Sequence, residues 1–171
     1  MIVTTELNSV ARKMVARNKG ILAADESNAT MTKRLESINV VSTPESRRQW
    51  RQLLFQTQDI GDFISGVIMY DETIRQSDDS GKRFVELLAM SDILSGIKVD
   101  KSTHDLAGAP AEFITDGLDG IRDRLSHYYE MGARFAKWRA LLTVGNGRPS
   151  DYAIHTNAHA LGRYAVICQE Q

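Results

Sequence analysis

A strand-like segment followed by helix-like segments occurs four times along this sequence and limits its fold more than any other feature. The first strand is predicted at Gly20–Ala24, a short apolar run that ends at Asp25. Because strands that alternate with helices pair in parallel through right-handed crossovers, the repetition predicts an α/β fold. An amphipathic helix is predicted before it, at residues 5–18. The predicted strands are 20–24, 64–74, 94–101 and 135–144, and the helices that follow them are 31–38, 45–58, 84–90, 118–131 and 151–169.

Charged residues alternate with apolar ones in two of the predicted strands. Since side chains alternate across a strand, Lys98 and Asp100 share one face, and so do Lys137 and Arg139. Strands of a doubly wound sheet are covered on both faces and read as continuous apolar runs. In a (β/α)8 barrel, by contrast, polar residues at strand ends build a site at the C-terminal mouth. The pattern therefore favours a TIM barrel over a doubly wound sheet.

The length corresponds to about half of such a barrel. The four units occupy residues 20–171, so a barrel of eight units of this size needs about 304 residues after the first helix. We therefore expect residues 1–171 to form one domain, the first half of a TIM (β/α)8 barrel with its C-terminal half absent. The open strand edges of a half-barrel are prone to pairing with another chain.

Composition excludes several classes of partner. The chain has 21 Lys+Arg against 22 Asp+Glu, a net charge of −1, whereas nucleic-acid binders and polybasic membrane anchors need a positive field. The N-terminal segment lacks the apolar run of about 7 to 15 residues that a signal peptide requires, so we expect no membrane association. A single cysteine, Cys168, cannot form an internal disulfide, which favours a reducing compartment and a cytoplasmic location.

Four residues at predicted strand ends are candidates for chemistry. Asp25 can polarise a substrate hydroxyl or hold a cation, or it can cap the helix that follows. Lys98 can contact phosphate, act as a Schiff-base nucleophile or form a structural pair with Asp100. Lys137 and Arg139 repel each other on one strand face unless an anion binds near them or salt bridges to other strands satisfy them.

Two histidines on the last predicted helix are weaker candidates. His155 and His159 are four residues apart, a spacing that can hold a metal ion. Since no third ligand accompanies them, ordinary surface histidines are the preferred interpretation. Cys168 lies on the same helix and is interpreted as a small buried residue rather than a reactive thiol. No metal site is predicted.

Seven segments along nearly the whole chain carry a family resemblance. They are, in order, KGILAADES (19–27), KRLESI (33–38), ESRRQWRQLL (45–54), GIKVDK (96–101), GLDGI (117–121), GARFAKWR (132–139) and NAHALGRYAVICQ (157–169). Together they resemble the N-terminal half of a class I fructose-bisphosphate aldolase. Several are long and include charged strand residues, so chance similarity does not account for them. The family is a (β/α)8 barrel, in agreement with the fold predicted from periodicity.

The resemblance implies a glycolytic lyase that reversibly cleaves fructose 1,6-bisphosphate into dihydroxyacetone phosphate and glyceraldehyde 3-phosphate. The reaction proceeds through a lysine Schiff base and needs neither a metal nor another cofactor. By motif, Asp25 stabilises the positively charged nitrogen intermediates and orients a substrate hydroxyl. Lys137 assists carbinolamine chemistry and offsets developing negative charge.

The remaining motif residues are implied in substrate binding. Lys98 and Arg139 hold the phosphate distal to the ketone, with hydroxyl contacts from Ser27 and Thr30. The opposite phosphate region, or the field at the barrel mouth, is assigned to Arg34 and Arg47. The chain departs from the family at 28–30, where Asn-Ala-Thr replaces the common Thr-Gly-Ser.

The family's Schiff-base lysine belongs to a motif that this chain lacks, so we expect the chain alone to be inactive. The resemblance also implies a homo-oligomer with a sugar phosphate substrate. An alternative is a non-catalytic half-barrel that binds sugar phosphates or associates through exposed strand edges. A weaker alternative is a metal-dependent aldolase that uses His155 and His159.

Overall fold

The computed structural model describes residues 4–171, which divide into two compact units. The first unit contains residues 4–98 and 128–136, and the second contains 99–127 and 137–171. Each element is bounded as follows: α1 Thr4–Met14, β1 Gly20–Ala24, α2 Asn28–Glu36, α3 Pro44–Phe55, α4 Ile60–Phe63, β2 Ile64–Met69, α5 Asp71–Ile74, α6 Phe84–Met90, β3 Leu94–Lys98, β4 Ser102–Asp105, β5 Phe113–Asp116, α7 Ile121–Glu130, β6 Phe135–Lys137 and α8 Asp151–Glu170.

A four-stranded sheet with the order β1-β2-β3-β6 carries the site residues of the first unit. β1 pairs with β2 and β2 with β3, both in parallel, so the carboxyl ends of these three strands lie at the same edge. The last register row joins Ala24, Met69 and Ile97. These three side chains are at most 1% exposed. They form a buried row directly beneath the residues that follow each strand.

Helices of the first unit cover the sheet with an aromatic and aliphatic core. Phe55 of α3 and Phe84 of α6 meet edge to face, with their ring centroids 5.2 Å apart. Met31 of α2 and Leu88 of α6 are also fully buried. In this core α6 packs on β3 and α3 packs on α6, in agreement with an α/β fold.

Phe135 of β6 lies against glycines of two neighbouring strands. Its ring is so close to Gly96 that a Cβ atom at this position would overlap it. A Cβ at Gly66 would lie 3.1 Å from the same ring. Glycine at both positions therefore lets an aromatic side chain pack flat on β2 and β3.

The second unit contains an antiparallel hairpin that the sequence did not predict. β4 and β5 pair with Ser102 opposite Asp116. The buried side chain of Asn157 on α8 donates to the carbonyl of Phe113 at 3.0 Å. At the start of α8, the buried carboxylate of Glu112 accepts hydrogen bonds from the amide and the hydroxyl of Ser150, at 2.7 and 2.5 Å. These bonds fix α8 against the hairpin.

The predicted α/β class and the parallel sheet are confirmed, but three predicted strands are too long. The predicted strand 64–74 ends at Met69, because Asp71–Ile74 forms a short helix. The third ends at Lys98, since the amide of Lys101 bonds to Asp116 in β5 instead of extending the ladder. The fourth ends at Lys137. Apolar residues beyond each strand made the predicted segments longer than the hydrogen bonding allows.

Candidate active site

Three residues at the carboxyl ends of parallel strands form what we call the strand-end row: Asp25, Tyr70 and Lys98. Each comes one residue after the buried row, and each is half-buried. Neighbouring strands are about 4.8 Å apart, so the main chains of Asp25 and Lys98 are separated by about 10 Å. The fold thus brings the carboxylate of Asp25 and the amine of Lys98, distant in sequence, to one edge of the sheet.

The cap of α2 excludes one alternative for Asp25. The N-cap residue is Ser27, whose Oγ accepts a hydrogen bond from the amide of Thr30 at 3.3 Å. The two hydroxyls of Ser27 and Thr30 lie 3.2 Å apart. Asp25 precedes the cap by two residues and is therefore not held at this position to start the helix.

A buried arginine that the sequence analysis missed supports the segment after β1. Arg51 of α3 is 2% exposed, and its Nη2 lies 2.8 Å from Oε2 of Glu26. The same guanidinium contacts the main-chain oxygen of Glu26 at 3.2 Å and the sulfur of Met31 at 3.0 Å. Burial lowers the pKa of Arg51, although the charge of Glu26 opposes this effect. The sequence held one signal for this burial: Arg51 lies four residues before Phe55, and residues at this spacing share one face of a helix.

The two arginines predicted to serve the opposite phosphate both have carboxylate partners. Arg34 forms an ion pair with Glu26. Arg47 binds Glu72 in a bidentate pair, with Nε–Oε1 and Nη2–Oε2 distances of 2.9 Å. Burial raises the pKa of Glu72, but the hydrogen bonds and charge of Arg47 outweigh it and hold the value below its usual range. In this structure Arg47 therefore connects α3 to α5, the short helix that follows β2.

The two cations of the second unit differ in their surroundings. Lys137 is half-buried at the end of β6, and Arg139 is exposed two residues later. The prediction that both lie within one strand is wrong, because β6 ends at Lys137. Between them, Trp138 packs on Tyr164 of α8 with a centroid separation of 5.3 Å. Within residues 4–171, the guanidinium of Arg139 has no ion-pair partner, so an anion can approach it.

The histidines and the cysteine of α8 show no catalytic arrangement. His155 and His159 are exposed, and Nδ1 of His155 lies 2.8 Å from the main-chain oxygen of Asp151. Across the described part of the chain, no three His, Cys, Asp or Glu side chains are placed to hold a metal ion. Burial raises the pKa of Cys168 to about 11, so its thiol stays protonated at neutral pH.

Among the described residues, no helix has both the length and the apolarity to cross a bilayer.

Comparison with known proteins gives the family. The family model for class-I fructose-bisphosphate aldolase matches residues 6–171. A probable fructose-bisphosphate aldolase class 1 of Xylella fastidiosa (strain Temecula1) is 51% identical over 97% of this chain and 50% of its own length. Cytosolic fructose-bisphosphate aldolase 4 of Arabidopsis thaliana is 53% identical over 99% of this chain and 43% of its own length.

A solved structure agrees with the sequence matches. The fructose-bisphosphate aldolase of Plasmodium falciparum, crystallised with TRAP and a small-molecule inhibitor, superposes with a TM-score of 0.94 at 46% identity. The match covers 98% of this chain and 49% of the other. The chain belongs to the class-I fructose-bisphosphate aldolase family and has its barrel-type α/β fold. It spans about half the length of the curated relatives it matches.

Proposed function

We propose that this chain supplies part of the active site of an enzyme that reversibly cleaves fructose 1,6-bisphosphate into dihydroxyacetone phosphate and glyceraldehyde 3-phosphate. The observation that carries the proposal is the strand-end row. In it, a carboxylate and an amine lie at the carboxyl ends of parallel strands, at the same sheet edge, where barrel enzymes bind substrate. Membership of the aldolase family supports this substrate and this reaction.

Each motif residue has a role that its chemistry can perform. In the first unit, the carboxylate of Asp25 stabilises cationic nitrogen intermediates and orients a substrate hydroxyl, and Lys98 binds phosphate. Ser27 and Thr30 offer hydroxyl groups to the same phosphate, and Arg34 and Arg47 serve the opposite phosphate region. In the second unit, Lys137 offsets negative charge that develops during cleavage, and Arg139 binds phosphate through its planar fork.

Binding of fructose 1,6-bisphosphate to the 171-residue chain tests this proposal by isothermal titration calorimetry. Removal of a charged hydrogen bond to phosphate should weaken binding about 10- to 100-fold in Lys98→Gln. Lys101→Gln is the matched control, because it removes the same charge from an exposed position three residues later. Equal affinities for both variants and the wild type would contradict the role of Lys98.

A second candidate function is non-catalytic association through strand edges, as in a homo-oligomer. β1 is the terminal strand of the described sheet, and Ile21 on it is 41% exposed. Unpaired edges of this kind recruit other strands. Size-exclusion chromatography with and without the bisphosphate tests the proposal, and a monomer that is indifferent to ligand would count against it.

We also propose a cytoplasmic location, because relatives of this chain are described as cytosolic.

A further inference from the structure

The main chain of Arg139 is held on both sides by side chains of the second unit. Its amide donates a hydrogen bond to Oδ1 of Asp100 at 3.3 Å. Its carbonyl accepts a hydrogen bond from the hydroxyl of Thr115 at 2.7 Å. Since β6 ends two residues earlier, these bonds replace the ladder bonds that would hold a strand residue.

The strand ladder ends here because its partner segment turns away. The amide of Val99 still donates to the carbonyl of Lys137 at 3.1 Å. Two residues later, the amide of Lys101 donates instead to the carbonyl of Asp116 in β5, at 2.9 Å. Asp100 lies between these two bonds and reaches Arg139 with its side chain. Its carboxylate therefore links the segment that leads from β3 into the hairpin to the residue two positions after β6.

The two partners of Arg139 are themselves fixed. Thr115 is 4% exposed and lies in the centre of the β4–β5 pairing, opposite Thr103. On the other side, Arg124 donates to the carbonyl of Val99 at 3.0 Å and also to the carbonyl of Gly117. Gly117 has a φ of 131°, and a Cβ there would lie only 3.1 Å from the oxygen of Val99. The side chain of Asp100 therefore follows a main-chain carbonyl held by Arg124, and the side chain of Thr115 projects from a paired strand.

We propose that Asp100 and Thr115 are positioning residues that fix the main chain of Arg139 and thereby pre-organise its exposed guanidinium for a phosphate group. Neither has to touch the ligand. The phosphate part rests on the proposed function, whereas the ordering of Arg139 does not. Pre-organisation improves affinity because less conformational freedom is lost on binding.

The test compares disruptive variants with conservative ones at the same positions. Thr115→Val keeps the shape but removes the hydroxyl donor, and Asp100→Ala removes the acceptor. Thr115→Ser and Asp100→Asn keep a donor and an acceptor. Amide hydrogen exchange at Arg139, ordering of its Nε by NMR relaxation and affinity for fructose 1,6-bisphosphate are measured for all four variants.

The two disruptive variants should show faster exchange at Arg139, greater mobility of its Nε and affinity about 3- to 10-fold weaker. The two conservative variants should stay within about twofold of the wild type. In an Arg139→Gln background, Thr115→Val should have no further effect on affinity, because the group that it positions is gone.

Unchanged exchange at Arg139 in both disruptive variants would overturn the proposal. Exchange that rises evenly over the whole second unit would also overturn it, because that result shows only a loss of stability. If the wild-type chain does not bind the bisphosphate, the proposed function fails. In that case the amide exchange of Arg139 and the relaxation of its Nε still show whether Asp100 and Thr115 order this residue.

Discussion

At the residue scale, the buried arginine of α3 has an energetic consequence. Arg51→Met removes the buried partner that lies 2.8 Å from Oε2 of Glu26, while Arg34 still pairs with Oε1, so the variant should lose about 1 to 3 kcal/mol of stability. Urea denaturation of the wild type and the variant measures this loss. The matched control is Arg75→Met, which removes an exposed pair with Asp71 and should cost about 0 to 1 kcal/mol. Similar small losses in both variants would show that Arg51 is not an essential partner.

A second residue-scale prediction concerns the Arg47–Glu72 pair. The pKa of Glu72 lies below its usual range in the folded state, so the pair adds stability above the unfolded-state value of about 4.3. That contribution is lost as the pH falls through the lower folded-state value. Glu72→Gln should therefore be less stable than the wild type at pH 7, and its stability should fall less between about pH 4.3 and pH 2.

Urea unfolding at a series of pH values measures the difference. Glu36→Gln, which changes an exposed carboxyl of α2, is the control and should follow the wild-type profile. If the Glu72→Gln profile were parallel to the wild-type one, the ion pair would not be the source of the shift.

The candidate residues at strand ends were predictable from sequence, but the side chains that hold the segments around them in place were not. Asp25 was found because it ends an apolar run, and Lys98 because charged and apolar residues alternate at positions 97–100. Asp100 was weighed only as a partner of Lys98, and the contacts of Arg51 and Thr115 were not predicted. These bonds join segments 20 or more residues apart. Periodicity reports which face of an element is buried, and it carries no information on which distant group completes a hydrogen bond.

At the element scale, the packing of Phe135 on β3 predicts opposite effects for two glycine substitutions. Gly96→Ala places a methyl group in the ring of Phe135 and should destabilise the chain by about 1 to 3 kcal/mol. Gly162→Ala, in the middle of α8 with open space around it, should stabilise by about 0.5 to 1 kcal/mol. Thermal unfolding of both variants measures the two shifts. A stable Gly96→Ala variant would show that the ring can move aside at little cost.

Element boundaries were predictable where local signals mark both ends. β1 and α6 have their predicted limits. Asp25 ends the apolar run of β1, and the mostly apolar segment of α6 lies between the polar residues Arg83 and Ser91. The ends of β2, β3 and β6 were placed too late: a short helix follows β2, and the ends of β3 and β6 depend on tertiary hydrogen bonds such as that between Lys101 and Asp116. The β4–β5 hairpin was missed because its strands are only four residues each.

At the scale of the whole molecule, the chain spans about half the length of its curated relatives. The family resemblance implies a Schiff-base lysine in a motif that we do not expect among the lysines of residues 1–171, so we predict that this chain alone forms no Schiff base. Fructose 1,6-bisphosphate with borohydride should therefore leave no lysine adduct on the isolated chain, as read by intact mass spectrometry. A full-length aldolase treated in parallel provides the positive control. A stable adduct on this chain would show that one of its own amines attacks the ketone.

The buried row beneath Asp25, Tyr70 and Lys98 also has a consequence for how the sequence can vary. Ala24, Met69 and Ile97 are shut off from water, whereas the next residue along each strand is not. Tolerance to mutation should thus change across a single peptide bond. Substitutions in the buried row are limited by side-chain volume, whereas substitutions at the next residue are limited by the chemistry of the site. A one-residue deletion within β3 would exchange the two kinds of constraint and place an ammonium group in the dry layer.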